Sequence, residues 1–268
     1  MTKARAASRP RLRLLPTVLL TAAILGLPTA VYAWGRTSSA FVVEDIVVAG
    51  TAIVPERQVE RLLRRDYLGR NLFTVTAKDV RGTLAPLPYV AAVRVDRDFP
   101  GTLRVAVVEH VPAAYGLAAG RWFVVDRRGH VVCRVGDAGP AADGGTGAAD
   151  QLAAGPPHAA LDLPRLALPD SVTAGDDVQD AALDAELRVL AALPSQLAAR
   201  VDVVECDGTQ IRLRLADGPL VRWGDAGRSY AKGIALRAVL ARYASLGRVC
   251  TWMDVSVPDR VLARPVLQ

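Results

Sequence analysis

The run "VRVDRDFPGTLRVAVVEHVP", Val93 to Pro112, decides how the first half of the chain is read. Two alternating apolar segments flank Pro100-Gly101, with Asp96, Asp98, Glu109 and His110 close by in the chain. Either these groups converge as a metal or acid-base site, or they are the charged residues of an ordinary hairpin. Strand side chains alternate between faces, so Val93 and Val95 must share a face with Leu103, Val105 and Val107, or one set is turned into water. Val95 then faces Val105 and Val93 faces Val107. That parity demands an odd loop, either Phe99, Pro100 and Gly101 or five residues, and Pro100 disfavours the helical conformation a three-residue loop wants at Phe99. Asp96 falls opposite Arg104 as a cross-strand charge pair on the wet face. His110 shares that face but sits six residues beyond Arg104, roughly 20 Å at strand rise, while Glu109 points with the apolar set. Groups so dispersed hold no ion, and the stretch reads as strand architecture with solvated charges.

Around this hairpin, a unit extends from Phe41 to about His110. "FVVEDIVVAG" is a β-rich run closed by Gly50. "PERQVERLLRRD" places Val59, Leu62 and Leu63 on one helical stripe after Pro55. In "TAKDVRGTLAPL", Thr76 is a candidate N-cap, Val80 and Leu84 lie one turn apart, and Pro86 and Pro88 stop the helix. The order is strand, helix, helix, strand, strand.

Toward the N-terminus, Leu14 to Trp34 carries no charge and ends in Tyr32 and Trp34. Such a segment spans a hydrocarbon core of roughly 30 Å as a helix, with its aromatic pair at the far interface. Val31-Tyr32-Ala33 offers a small-residue cleavage site, but the apolar run exceeds the roughly 7–15 residues of a signal-peptide core, so an anchor is favoured. Lys3, Arg5, Arg9, Arg11 and Arg13 precede it and only Arg36 immediately follows, which predicts a cytoplasmic N-terminus and an exported remainder. The net charge of +6 resides largely in that tail, so a nucleic-acid surface is not indicated. Membrane lipid is the expected neighbour.

Beyond Val111, "AAYGLAAGRWFVVDRRGHVVCRV" holds apolar runs broken by Gly120 and by the turn signal "DRRGH". Gly136 to Ala160 is rich in Gly, Ala, Pro and Asp and lacks the large apolar side chains that offset ordering entropy, which predicts a flexible insertion. Order resumes near "LDLPRLALP". "DAALDAELRVLAAL" puts Leu183, Leu187 and Leu190 on one helical face, ended by Pro194. Strands follow at Val201–Cys206, Gln210–Leu215 and Leu220–Trp223, with turns at Asp207-Gly208 and Asp217-Gly218. A second helix runs from about Arg228 to Leu246, with Ile234, Arg237, Val239 and Leu240 in a mainly apolar stripe, and Gly247 stops it. The last strand, Val249 to Val257, ends the folded region before Pro258. Cys133, Cys206 and Cys250 lack CxxC spacing and read as buried strand cysteines. His110, His130 and His158 form no ligand pair, and no nucleophile, metal or phosphate motif is present. No cofactor is expected, and nothing argues for catalysis.

The order of features resembles the FtsQ/DivIB family of cell-division proteins, in an actinobacterial-like form. The matching stretches are "VVAGTAIVPERQVERLL", Gly69 to Phe73, "LPYVAAVRVDRDFPGTLRVAVVEHVPAA", "VVDRRGHV", "LPRL" at Leu163 to Leu166, the Gly224…Lys232 spacing and "MDVSVPDR". His110 stands where the family's Glu-Arg-x-Pro junction usually has arginine, and the glycine-rich insertion is unusually long. The resemblance implies an α+β fold: basic tail 1–13, transmembrane helix 14–34, a β-α-α-β-β POTRA domain 41–110, a larger mixed β-sheet domain with two helices 111–258 carrying the insertion 136–160, and a tail 259–268. Glu109, His110 and Pro112 mark the domain junction. It further implies a non-enzymatic, single-pass scaffold at the division septum that gathers FtsB, FtsL and septal peptidoglycan synthesis, with FtsW, FtsI and FtsK as further partners of the POTRA domain and transmembrane helix. A membrane-anchored or secreted POTRA-type chaperone is the alternative. Physics supplies a route for capture: an edge strand at the end of the chain adds a partner's strand. Thr251, Trp252, Met253, Asp254, Val255, Ser256 and Val257 are the expected edge, flanked by Asp259 and Arg260, with Lys232 and Arg237 offering salt-sensitive contacts to an acidic partner. For Trp252 the competing reading is core packing, and for Lys232 and Arg237 a solvated helix face.

Overall fold

The computed structural model describes residues 26–27, 29–137, 161–216 and 218–265, which fall in two compact units, Met1–Glu109 and His110–Gln268. The basic tail and most of the expected anchor lie outside the described residues, as do insertion residues 138–160 and Asp217. Residues 26–27 and 29–37 are helical, and among the described residues no helix is long and apolar enough to cross a membrane.

In the first unit, β1 (Asp45–Ala49), α1 (Glu56–Tyr67), α2 (Ala77–Leu84), β2 (Val90–Asp98) and β3 (Thr102–Glu109) follow the predicted order. The sheet order is β1-β3-β2, with β1 parallel to β3 and β2 antiparallel to it. Val93 pairs with Val107 and Val95 with Val105, as strand parity requires, and Asp98 pairs with Thr102. The loop is therefore Phe99, Pro100 and Gly101, with a cis Phe99-Pro100 peptide. Ile46 and Val48 of β1, Val59 and Leu63 of α1, Val80 and Leu84 of α2, and Leu103, Val105 and Val107 of β3 form one core. Thr76 and Asp79 build a reciprocal capping box at the start of α2. Gly50 ends β1 at φ +85°, and a Cβ there would meet the Val107 carbonyl oxygen at 2.2 Å, so only glycine lets the chain turn off the sheet.

The second unit is built on β4 (Pro112–Ala118), β5 (Arg121–Asp126), β6 (Val131–Asp137), β7 (Arg165–Ala167), β8 (Val201–Asp207), β9 (Gln210–Leu215), β10 (Leu220–Gly224), β11 (Cys250–Asp254) and β12 (Leu262–Pro265). These make one mixed sheet in the order β12-β11-β10-β9-β8-β7-β4-β5-β6. Gly136 and Asp137, assigned by sequence to the insertion, are strand residues of β6. The helices are α3 (Ala181–Ala192), the one-turn α4 (Ser195–Ala198) and α5 (Ser229–Ser245). Pro194 does end α3 but also opens α4, an element the sequence did not suggest. Along α5 the buried positions are Ser229, Lys232, Gly233 and Leu236, while Arg237 is exposed and Ile234 half-buried. Of the predicted stripe, Val239 and Leu240 pack against the core with Leu236, and Arg237 falls outside it.

Candidate partner-binding surface

The strand expected at the sheet edge is not there. β11 pairs in parallel with β10, Leu220 to Trp252 and Val221 to Met253, and antiparallel with β12, Trp252 to Arg264 and Asp254 to Leu262. Both ladders of β11 are occupied, and the edge is β12, in the segment read as a tail after the end of the fold. The short run "VLARP" carries little strand signal because Pro265 truncates its alternation. What makes it a strand is β11, whose second row of backbone groups needs partners.

This relocation redistributes the predicted contact residues. Met253, Asp254 and Val255 are buried. Val255 is 0 % exposed, and its N–H donates to the Arg222 carbonyl at 2.9 Å, so it cannot also serve a partner. The Asp254 carboxylate accepts from the Ser256 N–H at 2.9 Å and its hydroxyl at 2.6 Å, closing the turn after β11, and lies 3.5 Å from Arg222. Thr251, Val257, Asp259 and Arg260 are exposed, and Trp252 and Ser256 half-buried. The Trp252 ring is not part of the core cluster, against its core-packing reading, and lies under the Arg264 guanidinium, 5.9 Å from the ring centre. Asp259 is paired with Arg228 at 3.1 Å.

Lys232 offers nothing to a partner. It is 2 % exposed, and its Nζ donates to the Asp225 carbonyl oxygen and to Asp225 Oδ1, both at 2.9 Å. That hydrogen bond from Lys232, joined by the Gly227 N–H, holds the Asp225 carboxyl below its ordinary range. Gly224, at φ +79° and packed on Ser256, lets β10 turn into this ring. The Gly224…Lys232 spacing therefore encodes a turn lock between β10 and α5. Arg237 remains on the exposed face of α5.

The junction residues also differ from expectation. Glu109 does point with the apolar set, where its carboxylate accepts from the N–H groups of Ala52, Ile53 and Val54 at 3.0, 2.8 and 2.9 Å. Arg104, set opposite Asp96 by register, makes its ion pair with Asp98 at 2.6 Å instead, because the guanidinium reaches diagonally along the strand. His110 is not on a solvated strand face. Only 16 % exposed, it stacks on His130 with ring centres 4.3 Å apart, and its Nδ1 is 2.8 Å from Asp126 Oδ2. Burial raises the Asp126 pKa, but hydrogen bonds from His110 and from the Arg128 and His130 N–H groups outweigh it and leave the carboxyl below its ordinary range. The strand ends at Glu109, so strand spacing no longer places His110. Pro112 begins β4. Among the described residues no group of three or more His, Cys, Asp or Glu is arranged to hold a metal.

A second surface lies on the first unit. Phe41, Phe73 and Phe99, three of the chain's four phenylalanines, form a cluster with ring centres 5.1–5.6 Å apart. Tyr32 and Trp34 join it edge-on from the N-terminal helix at 5.8 and 6.0 Å, while Asn71 Nδ2 donates to the carbonyls of Gly35 and Ser38. Tyr32, Trp34 and Phe99 remain largely exposed.

Comparison with known proteins agrees with both units. Residues 41–110 match the family model "POTRA domain, FtsQ-type". The chain is 30% identical over 247 residues to Cell division protein FtsQ of Mycobacteroides abscessus, covering 92% of this chain and 67% of that protein. The chain belongs to the FtsQ family. FtsQ of Mycobacterium tuberculosis is 29% identical over 96% of the chain and 70% of its own length, and FtsQ of Corynebacterium glutamicum 26% over 73% and 75%. The chain thus spans about two thirds to three quarters of these FtsQ relatives. The first unit is a POTRA domain of the FtsQ type, and the second is the large mixed sheet that accompanies it.

Proposed function

We propose that this chain is a bitopic scaffold of the division septum that captures a small bitopic partner of the FtsB or FtsL kind by adding a strand to β12. The observation that carries this is the nine-stranded sheet, whose β12 pairs on one side with β11 and, among the described residues, leaves its other row of backbone groups to accept an incoming strand. Exposed Leu262, Val257 and Thr251 offer side-chain contacts beside that row, and Arg260 and Arg264 favour an acidic partner. Membrane attachment is supported by the uncharged run ending in Tyr32 and Trp34 and by the aromatic cluster they join, since exposed aromatic rings favour the bilayer interface. The cytoplasmic tail and exported bulk follow from the arginines that precede the run. FtsW, FtsI and FtsK are proposed as further partners of the POTRA domain and anchor, in a role that is organisational rather than catalytic.

Co-purification tests the edge. Ala263→Pro on β12 is expected to abolish capture of an FtsB partner while the protein stays folded, because edge strands tolerate proline. Undiminished capture by the folded variant would remove β12 from the interface.

A further inference from the structure

A cavity of about 870 Å³ lies in the second unit where β4, β7 and β8 end beside the first turns of α3. That is within the roughly 300–1,000 Å³ of cavities that take organic ligands. Leu117, Leu168 and Leu183 give it an apolar wall. Its charged lining is mostly acidic: Asp170 follows β7, Asp180 caps α3, Glu205 and Asp207 lie on β8, and among the described residues Arg212 of β9 is the one cation lining it. Arg212 lies 3.5 Å from Asp207 and Arg214 3.7 Å from Glu205, and the Asp170 and Asp180 carboxylates keep the rim negative overall.

Glu186 of α3 also lines this cavity. It is 3 % exposed, yet its Oε2 has no hydrogen-bond partner. The carboxyl is otherwise bonded by the Cys206 backbone N–H. Glu186 follows Leu183 by three residues and precedes Leu190 by four, so it occupies the buried face of α3 where leucine satisfies packing. Among the described residues no donor answers this buried carboxyl oxygen, a group that is costly to leave unpaired.

We propose that this cavity binds an organic cation, an alkylammonium or alkylguanidinium on an apolar stem, with Glu186 as its counter-ion. The leucines take the stem, and the acidic rim draws the charge inward. Burial first, and the neighbouring Asp180 and Glu205 carboxylates second, push the Glu186 pKa up to about 8, against the opposing hydrogen bond from Cys206. Without a cation beside it the group is therefore a neutral acid at neutral pH. An entering cation displaces the proton: the O–H bond of Glu186 breaks, the proton passes to solvent, and the carboxylate pairs with the cation. Close to one proton is released per cation bound. The other titratable groups facing this site are the Asp170, Asp180, Glu205 and Asp207 carboxylates, the Arg212 guanidinium and the Cys206 thiol, whose pKa is itself raised by burial. The inference is independent of the septal role proposed above.

The full chain in detergent is titrated with hexylguanidinium and its neutral isostere hexylurea, and with acetyl-Leu-Arg-Leu-amide and its citrulline counterpart. Methyl resonances of Leu168 and Leu183 report occupancy, and calorimetry in buffers of different ionisation heat counts protons. The cations are expected to shift both methyls and bind at least about tenfold more tightly than the isosteres, with proton release that vanishes in Glu186→Gln. Preference for hexylguanidinium would identify a free amine as ligand, and preference for the arginine peptide a partner's basic segment. Glu205→Gln with Asp207→Asn, which leaves the core untouched, is expected to weaken the cations about threefold or more. Equal binding of isosteres, absence of methyl shifts at millimolar probe, or unchanged proton release in Glu186→Gln would overturn the proposal.

Discussion

Glu109 closes the loop that enters α1 by accepting from three successive N–H groups, and charge-assisted bonds of this kind are the stronger class. Glu109→Ala is expected to lower the stability of the POTRA unit by about 1–3 kcal/mol, read from the urea midpoint, and Glu109→Gln by less because it keeps one acceptor. Glu186 presents the opposite case, a carboxyl with too few donors. Between its ordinary value of 4.5 and about 8 the folded state holds a proton that the unfolded chain releases. Stability therefore falls as pH rises through that window, at about 1.4 kcal/mol per unit of pKa difference. Glu186→Gln is expected to flatten this slope in urea melts from pH 5 to 8, and an unaltered slope would contradict a protonated Glu186. The face of Glu109 was legible in strand parity, but its donors lie 55–57 residues away in the chain. Glu186 had a visible signal as well, a glutamate on a leucine stripe, which helix spacing exposes once it is weighed as a buried position.

At the scale of elements, the hairpin β8–β9 and strand β10 were legible almost to the residue because turn chemistry and alternation are both local. β11 was legible as a strand but not as an interior one, since its standing depends on whether β12 covers it. Proline scanning separates the two strands. Val255→Pro removes the bond to Arg222 and disturbs a fully buried position, so a loss of at least about 2–3 kcal/mol is expected. Ala263→Pro, on the edge, is expected to cost less than half of that. Comparable losses in urea melts would mean that β12 is as integral to the sheet as β11. The turn lock of Lys232 and Asp225 belongs to this scale too: a lysine on a helix reads as solvated until the preceding glycine turn folds back beneath it.

For the whole molecule, the POTRA unit and the large sheet place this chain in the FtsQ family, and the remaining question is where it works. A fluorescent fusion at the N-terminus is expected to form midcell bands in dividing cells. Uniform membrane fluorescence would instead favour a POTRA-type chaperone of exported polypeptides. Replacing Tyr32, Trp34 and Phe99 together by serine is expected to leave the POTRA core folded, because none of the three belongs to it, while weakening its residence at the membrane interface.

By itself the sequence determined the order of strands and helices in the first unit, the hairpin register of β2 and β3, the capping of α2 and the family resemblance. All of these rest on periods and turn residues that act within a few positions of one another. Only the tertiary structure decided which strand is the edge, that Lys232 is a turn lock, that His110 stacks on His130, and that Glu186 looks into a cavity. Each depends on pairing or burial between separate elements, and local periodicity says which face a side chain takes but not what waits on that face.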